Sequence, residues 1–252
     1  MKKVRFKKSF LFSVLVLVLV VFIGFIEKKT SERRFNDIEI HVKAVSDVYF
    51  VDENEILKSL KAEFPNLKTG VMLSELNLNA IEKKVESHPF VKNAEAFGDQ
   101  KGNVRVDIEQ HVPIARITRP RAADGYISSE GLILPTSAKY TSRVLILYGN
   151  YAESLLSVGD LSTAYPELMA LIQFIGEDPF WKAQITELEI AKKGDIKLHQ
   201  QVGKQVIEFG DANEIEEKFN KINLFYEQIL PTKGWNTYSR VSVKYKGQIV
   251  CE

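Results

Sequence analysis

Between Val104 and Gln110 apolar and charged side chains alternate, with Val104, Val106 and Ile108 on one side and Arg105, Asp107 and Glu109 on the other. A period of two belongs to an extended chain with one face buried, so this run predicts a strand. Another strand is predicted from Val91 to Phe97. Gly98, Asp99, Gly102 and Asn103 between the two runs supply the positive φ and side-chain turn chemistry of a hairpin. A helix ending at Pro89 and packed on one face of this hairpin is the expected nucleus.

Upstream, Ile38, Ile40 and Val42 alternate with Glu39, His41 and Lys43 as a first strand. Asp52 followed by Glu55 has the spacing of a capping box and opens a helix running to about Ala62, broken over residues 65–70. A second helix is expected from near Asn79, with Glu82 three residues on and Ile81 and Val85 on one face. The order is strand, helix, helix, strand, strand.

From Arg116 the chain changes to short β-rich runs separated by turn signals, which suggests a second domain. Residues 125–128, 131–135 and 144–148 read as strands, and 166–176 carries Leu168, Leu171, Ile172 and Ile175 at helical spacing. Residues 185–190, 195–199 and 205–209 read as a meander. Asp211 is expected to N-cap a long amphipathic helix with Ile215, Phe219, Ile222, Phe225, Tyr226 and Ile229 on its apolar stripe, ended by Pro231. Residues 239–246 and 248–251 are the last predicted strands.

The stretch from Phe10 to Ile26 fits neither period, being almost wholly Val, Leu, Ile and Phe. As a helix it spans roughly 25 Å, enough to cross a bilayer. Lys2, Lys3, Arg5, Lys7 and Lys8 precede it, so the N-terminus is expected in the cytoplasm and everything after Ile26 outside it. A cleaved signal peptide is the competing reading. The run is long for one, and Glu27-Lys28-Lys29 follows without a small-residue cleavage site, so an uncleaved anchor is expected. Composition adds two limits. With 252 residues and a net charge of +1, the chain has room for one large domain or two small ones and no global field to recruit nucleic acid. The single cysteine, Cys251, forms no internal disulfide, so an oxidising compartment is permitted but not demanded.

The stretch from Pro89 carries a resemblance. Pro89-Phe90-Val91, Ala94, Val104-Arg105-Val106 and Pro113-Ile114-Ala115-Arg116 resemble the end of a POTRA domain, and the element order before them agrees. The whole arrangement is similar to the bacterial cell-division family FtsQ/DivIB. Glu130-Gly131, Leu147 with Gly149, Asp195 to Leu198 before Gly203-Lys204, and Val241, Tyr245 and Gly247 sit in that family's order. Departures are Ala44 for a glycine, Gln110 for a glutamate, Ser128 for an aspartate, Ile117 for a tryptophan and Glu252 where an aromatic can stand. The resemblance implies an α+β chain. Its parts are a cytoplasmic tail (1–9), a transmembrane helix (10–26), a stem (27–35), a POTRA-like β-α-α-β-β domain (36–114) and a mixed β-rich domain with two helices (115–252).

An exported domain beside the cell wall could be an enzyme. No serine is followed three residues later by lysine, His41, His88, His111 and His199 lie far apart, and no glycine-rich phosphate loop precedes a helix. Carboxylates are plentiful, yet Glu214, Glu216 and Glu217 accompany Lys218 and Lys221 on a helix, where a solvated face explains them. No catalytic, metal or cofactor site is expected. What stands out is an edge. Gln248, Ile249, Val250 and Cys251 form a short, largely apolar run at the C-terminus, which is either an open sheet margin that accepts a partner strand or an ordinary terminal strand with its edge covered.

The resemblance implies the first. In that family the last strand receives a segment of FtsB, which makes Tyr245, Gly247, Gln248, Ile249, Val250 and Cys251 the candidate partner-binding residues here. It further implies a non-catalytic scaffold at the division septum. Such a chain would be single-pass in the inner membrane with its bulk in the periplasm, joining FtsB and FtsL and through them FtsW and FtsI, without nucleic acid, cofactor or small-molecule substrate. The alternatives are a membrane-anchored cell-wall enzyme and a POTRA adaptor in outer-membrane transport.

Overall fold

Val104, Val106 and Ile108 are fully buried, and their alternation with polar neighbours forms the central strand of a three-stranded sheet. The computed structural model describes residues 12, 15–19, 21, 33–45 and 48–252. These divide into two compact units, one ending at Gln110 and the other running His111–Glu252 and taking in Val45–Phe50.

In the first unit β1 (Ile38–Val42), α1 (Glu53–Glu63), α2 (Leu78–Glu86), β2 (Val91–Gly98) and β3 (Val104–Gln110) follow the predicted order. β3 lies in the middle, parallel to β1 and antiparallel to β2. Asp52 caps α1, accepting from the N–H groups of Asn54 and Glu55 at 2.8 and 3.3 Å. The second cap is Asn77, two residues before the expected start, and it accepts from Ala80 N–H at 3.1 Å. Glu82, read as a first-turn acid, instead accepts from Ala96 N–H on β2 at 2.8 Å, fastening helix to strand. Ile56, Leu60, Ile81 and Val85 from the helices and Phe90, Val91 and Ala94 from the corner and β2 are buried. Burying side chains of this size stabilises by roughly 1.5–3 kcal/mol each.

The second unit is built on a nine-stranded sheet of β4 (Pro113–Ile117), β5 (Gly125–Ser128), β6 (Ile133–Leu134), β7 (Leu145–Tyr148), β8 (Ile185–Ile190), β9 (Ile196–Gln200), β10 (Val206–Gly210), β11 (Arg240–Ser242) and β12 (Val250–Cys251). Their order is β12-β11-β10-β9-β8-β7-β4-β5-β6. Pro113 and Ile114, counted above with the first domain, are the start of β4 in this larger sheet, where Pro113 lies opposite Ser128. The meander 185–209 is present as predicted. The last strands are shorter than expected, because the chain leaves the ladder between Ser242 and Val250, and the strand at 131–135 is reduced to two residues.

Two helices were expected here and more are found. α3 (Asn150–Leu155), α4 (Leu161–Ala164), α5 (Pro166–Glu177) and α6 (Pro179–Gln184) lie between β7 and β8, and α7 (Ile215–Leu224) follows β10. α3, α4 and α6 are too short to show a helical period. Two of them carry aspartate caps: Asp160 accepts from Ser162 and Thr163, and Asp178 from Phe180 and Trp181. Gly149 before α3 has φ +107°, and a side chain there would meet the Ile190 carbonyl at 2.6 Å, which accounts for the glycine after Leu147.

The long helix departs from expectation at both ends. Asp211 does not cap it. α7 starts after Glu214, which takes the left-handed conformation (φ 50°, ψ 41°), and Asp211 pairs with Lys218 at 2.6 Å. Pro231 does not end it either. A π turn, Phe225–Ile229, runs directly into α8 (Leu230–Lys233), so Pro231 lies inside a continuous helical run, just after the widened turn. α5, α6 and α7 meet the sheet through aromatic rings, Phe219 lying 4.7 Å from Phe174, 4.6 Å from Trp181 and 5.4 Å from Phe209.

Among the described residues no helix is long and apolar enough to cross a membrane. The anchor expected over 10–26 falls mostly outside the described residues; 12, 15–19 and 21 are helical and exposed.

Candidate docking edge at the C-terminus

Three backbone hydrogen bonds fix the register of the last ladder. The N–H groups of Ser239 and Arg240 donate to the Glu252 carbonyl at 2.7 and 3.0 Å, and the Glu252 N–H donates to the Arg240 carbonyl at 2.9 Å. Arg240 and Glu252 are therefore a hydrogen-bonded pair, with Val241 opposite Cys251 and Ser242 opposite Val250. In an antiparallel ladder such pairs alternate, so the N–H and C=O of Val250 turn toward β11 and those of Cys251 turn away. β12 ends the strand order, and among the described residues no strand pairs with the outward groups of Cys251.

Of the six residues read as the docking set, only Val250 and Cys251 lie in the strand. Ile249 and Cys251 pack their half-buried side chains against the core, so those side chains are partly spent inside the molecule. Tyr245 is 47% exposed, Gln248 is exposed, and Gly247 turns with φ +68°. Burial pushes the Cys251 thiol up, so it stays neutral at physiological pH and acts as an apolar contact rather than a nucleophile.

The sheet face opposite the core carries paired charge. Tyr148, Glu189, Lys197 and Glu208 stand side by side across β7, β8, β9 and β10. Lys197 reaches Glu189 at 3.0 Å, and Lys244 and Arg240 reach Glu208 at 3.1 and 3.3 Å. Arg240 also pairs with the Glu252 side chain, tying the last residue to β11. Burial pushes Glu208 up, yet Lys244 and Arg240 hold it below the ordinary glutamate value. His199 lies 3.0 Å from the Tyr148 hydroxyl and 3.3 Å from Glu189. Opposite charges laced across strands satisfy one another on this face.

Two departures from the family pattern become intelligible. Ser128, buried on β5, accepts from the N–H groups of Glu130 and Leu132 at 3.3 and 3.1 Å, supplying the turn acceptor an aspartate would provide. Ile117 is fully buried in the core. A cleft of about 260 Å³ lined by Tyr151, Tyr165, Lys193 and Asp211 is smaller than ordinary ligand pockets. Its Tyr151 is pushed up to about 12, first by the hydrogen bond with Tyr165 and then by burial, which makes it no base at neutral pH.

The solvated face expected on α7 holds for Glu214 and Glu216, which are exposed, but not for its two lysines. Lys218 and Lys221 are buried, at 3% and 8% exposure. Lys218 Nζ donates to the Asp211 carbonyl at 2.8 Å and lies 4.9 Å from the centre of the Phe209 ring. Lys221 Nζ donates to the Tyr245 carbonyl at 2.8 Å and pairs with Glu217 at 3.0 Å. A signal was present in the sequence, since Lys218 falls three residues after Ile215 and four before Ile222, on the apolar stripe itself.

Comparison with known proteins agrees with this architecture. The family model described as FtsQ/DivIB, C-terminal related, matches residues 112–252, and a POTRA-like domain model matches residues 34–109. The chain is 25% identical over 190 residues to the Cell division protein FtsQ of Rhodothermus marinus, covering 72% of this chain and 67% of that protein.

Proposed function

Because the chain belongs to the FtsQ/DivIB C-terminal-related family, we propose that it is a cell-division protein that works by docking other proteins rather than by catalysis. It holds FtsB, together with FtsL, and through them supports septal peptidoglycan synthesis by FtsW and FtsI. Its anchor is the apolar run from Phe10 to Ile26, with the short basic tail in the cytoplasm and both units on the periplasmic side.

The observation that carries the docking reading is the position of β12 at the end of the nine-strand order, with the backbone groups of Cys251 turned outward. A partner segment adding there takes affinity from backbone hydrogen bonds and register from alternate side chains. Tyr245, Gly247, Gln248 and Ile249 shape the approach, and Val250 and Cys251 form the template.

The register sharpens the test. Proline lacks the donor, so Cys251→Pro removes an outward N–H, and Ile249→Pro removes the next one on the same side. Val250→Pro removes a bond to β11 and disturbs the fold instead. In the full-length chain, binding of the exported FtsB fragment should fall with Cys251→Pro and Ile249→Pro while the circular dichroism spectrum is kept. Undiminished binding by a well-folded chain truncated after Lys246 would place the docking site elsewhere.

A further inference from the structure

The segment 243–249 leaves the sheet, turns, and returns as a strand of only two residues. So short a ladder holds few backbone bonds and by itself would open readily. α7 grips this excursion at several points. The Lys221 ammonium donates to the carbonyls of Val243 and Tyr245 at 3.4 and 2.8 Å. Glu217, one helical turn earlier, pairs with Lys221 at 3.0 Å and so holds the ammonium from the helix side. The left-handed turn at Gly247 sits at the tip of the segment so held. Lys221 is only 8% exposed, so its charge is held away from water and directed onto these acceptors.

We infer that Glu217 and Lys221 are positioning residues for the docking edge: α7 clamps the turn 243–247 so that β12 is presented ready to accept a strand. This rests on the docking reading above and adds a device to it. Ordering a loop before the partner arrives removes an entropic cost from association. Charge-assisted bonds to carbonyls with no strand partner supply the hold. Lys218, the other buried lysine of α7, turns instead to Asp211, just before the start of the helix, and donates to none of these carbonyls.

The test uses the full-length chain in detergent with Lys221→Met, Lys221→Arg and Glu217→Gln, and with Lys218→Met as the control that removes a buried ammonium without touching the turn. Hydrogen exchange is measured in the unbound protein, and binding of the exported FtsB fragment is measured in parallel. Lys221→Met should speed exchange over residues 243–252 by about tenfold or more, with strands 185–200 still protected, and should weaken FtsB binding by a similar factor. Lys221→Arg should recover most of both, Glu217→Gln should give a smaller loss, and Lys218→Met should leave both readouts near the parent. Unchanged protection of 243–252 in Lys221→Met would overturn the clamp, as would faster exchange with FtsB bound as tightly as by the parent. A parent chain that fails to bind the FtsB fragment would sink the docking reading alone, and the exchange comparison would still decide whether the clamp exists.

Discussion

α2 and α7 both carry lysines beside an apolar stripe, and the two helices use them in opposite ways. On α2 Lys83 is exposed, and Lys84, half-buried along its stem, meets the exposed Glu63 at 3.3 Å. On α7 Lys218 and Lys221 go inward, one to Asp211 and one to the carbonyls before β12. The difference follows from what each helix must cover. α2 lies on a hairpin whose carbonyls are paired within the sheet, whereas α7 lies beside a chain that has left its ladder and has carbonyls to satisfy. A buried cation is thus a sign of where backbone regularity stops.

Substitutions can test how far the two units depend on apolar packing as against polar ties. The largest effects should come from apolar truncation in either unit. Phe90→Ala and Phe219→Ala should each cost about 3–5 kcal/mol in denaturant unfolding followed by exchange of the surrounding strands. A Phe90→Ala chain whose β2 and β3 exchange like the parent's would mean the helix-to-strand corner is not a core position.

Next in size is the buried tie of α7. Asp211→Ala leaves the Lys218 ammonium with only a carbonyl and should cost about 1–3 kcal/mol, while Lys218→Met should cost less, because an apolar side chain of similar length needs no partner. Equal losses would argue that the pair as such stabilises the fold.

The same tie gives a pH dependence. The hydrogen bond from Lys218 holds Asp211 below the ordinary aspartate value, outweighing the burial that pushes it up. A carboxyl depressed in the folded state contributes stability that is full above its unfolded pKa and is lost as pH falls through the folded one. Unfolding midpoints should therefore drop below about pH 4, and less steeply in Asp211→Asn. An identical pH profile for the variant would remove Asp211 from the account. The smallest change is expected at the exposed pair of α2, where Lys84→Ala should move stability by no more than about 0.5 kcal/mol in the same denaturation experiment.

Local chemistry was legible where a period and a cap coincide. Val104 to Gln110, the hairpin turn at Asp99 and Gly102, Asp52 as a cap and the meander 185–209 are all decided by side chains within a few residues of one another. The short helices were not legible, because three or four turns of period are needed to see a stripe and α4 has four residues. The candidate edge was readable as an apolar C-terminal run; which of its N–H groups faces outward was not.

By itself the sequence determined the division into a helix-covered hairpin unit and a β-rich unit, the core stripes, and a last strand short enough to stand at a margin. These follow from alternation, helical spacing and turn residues, which act over a few positions. Only the tertiary structure decided the nine-strand order, the outward parity of Cys251 and the acceptors that Lys218 and Lys221 reach. Each depends on partners 7 to 24 residues away or on another strand's register, as with Lys221 and Tyr245. A lysine reads as solvated until a distant segment of chain brings it carbonyls that have no other donor.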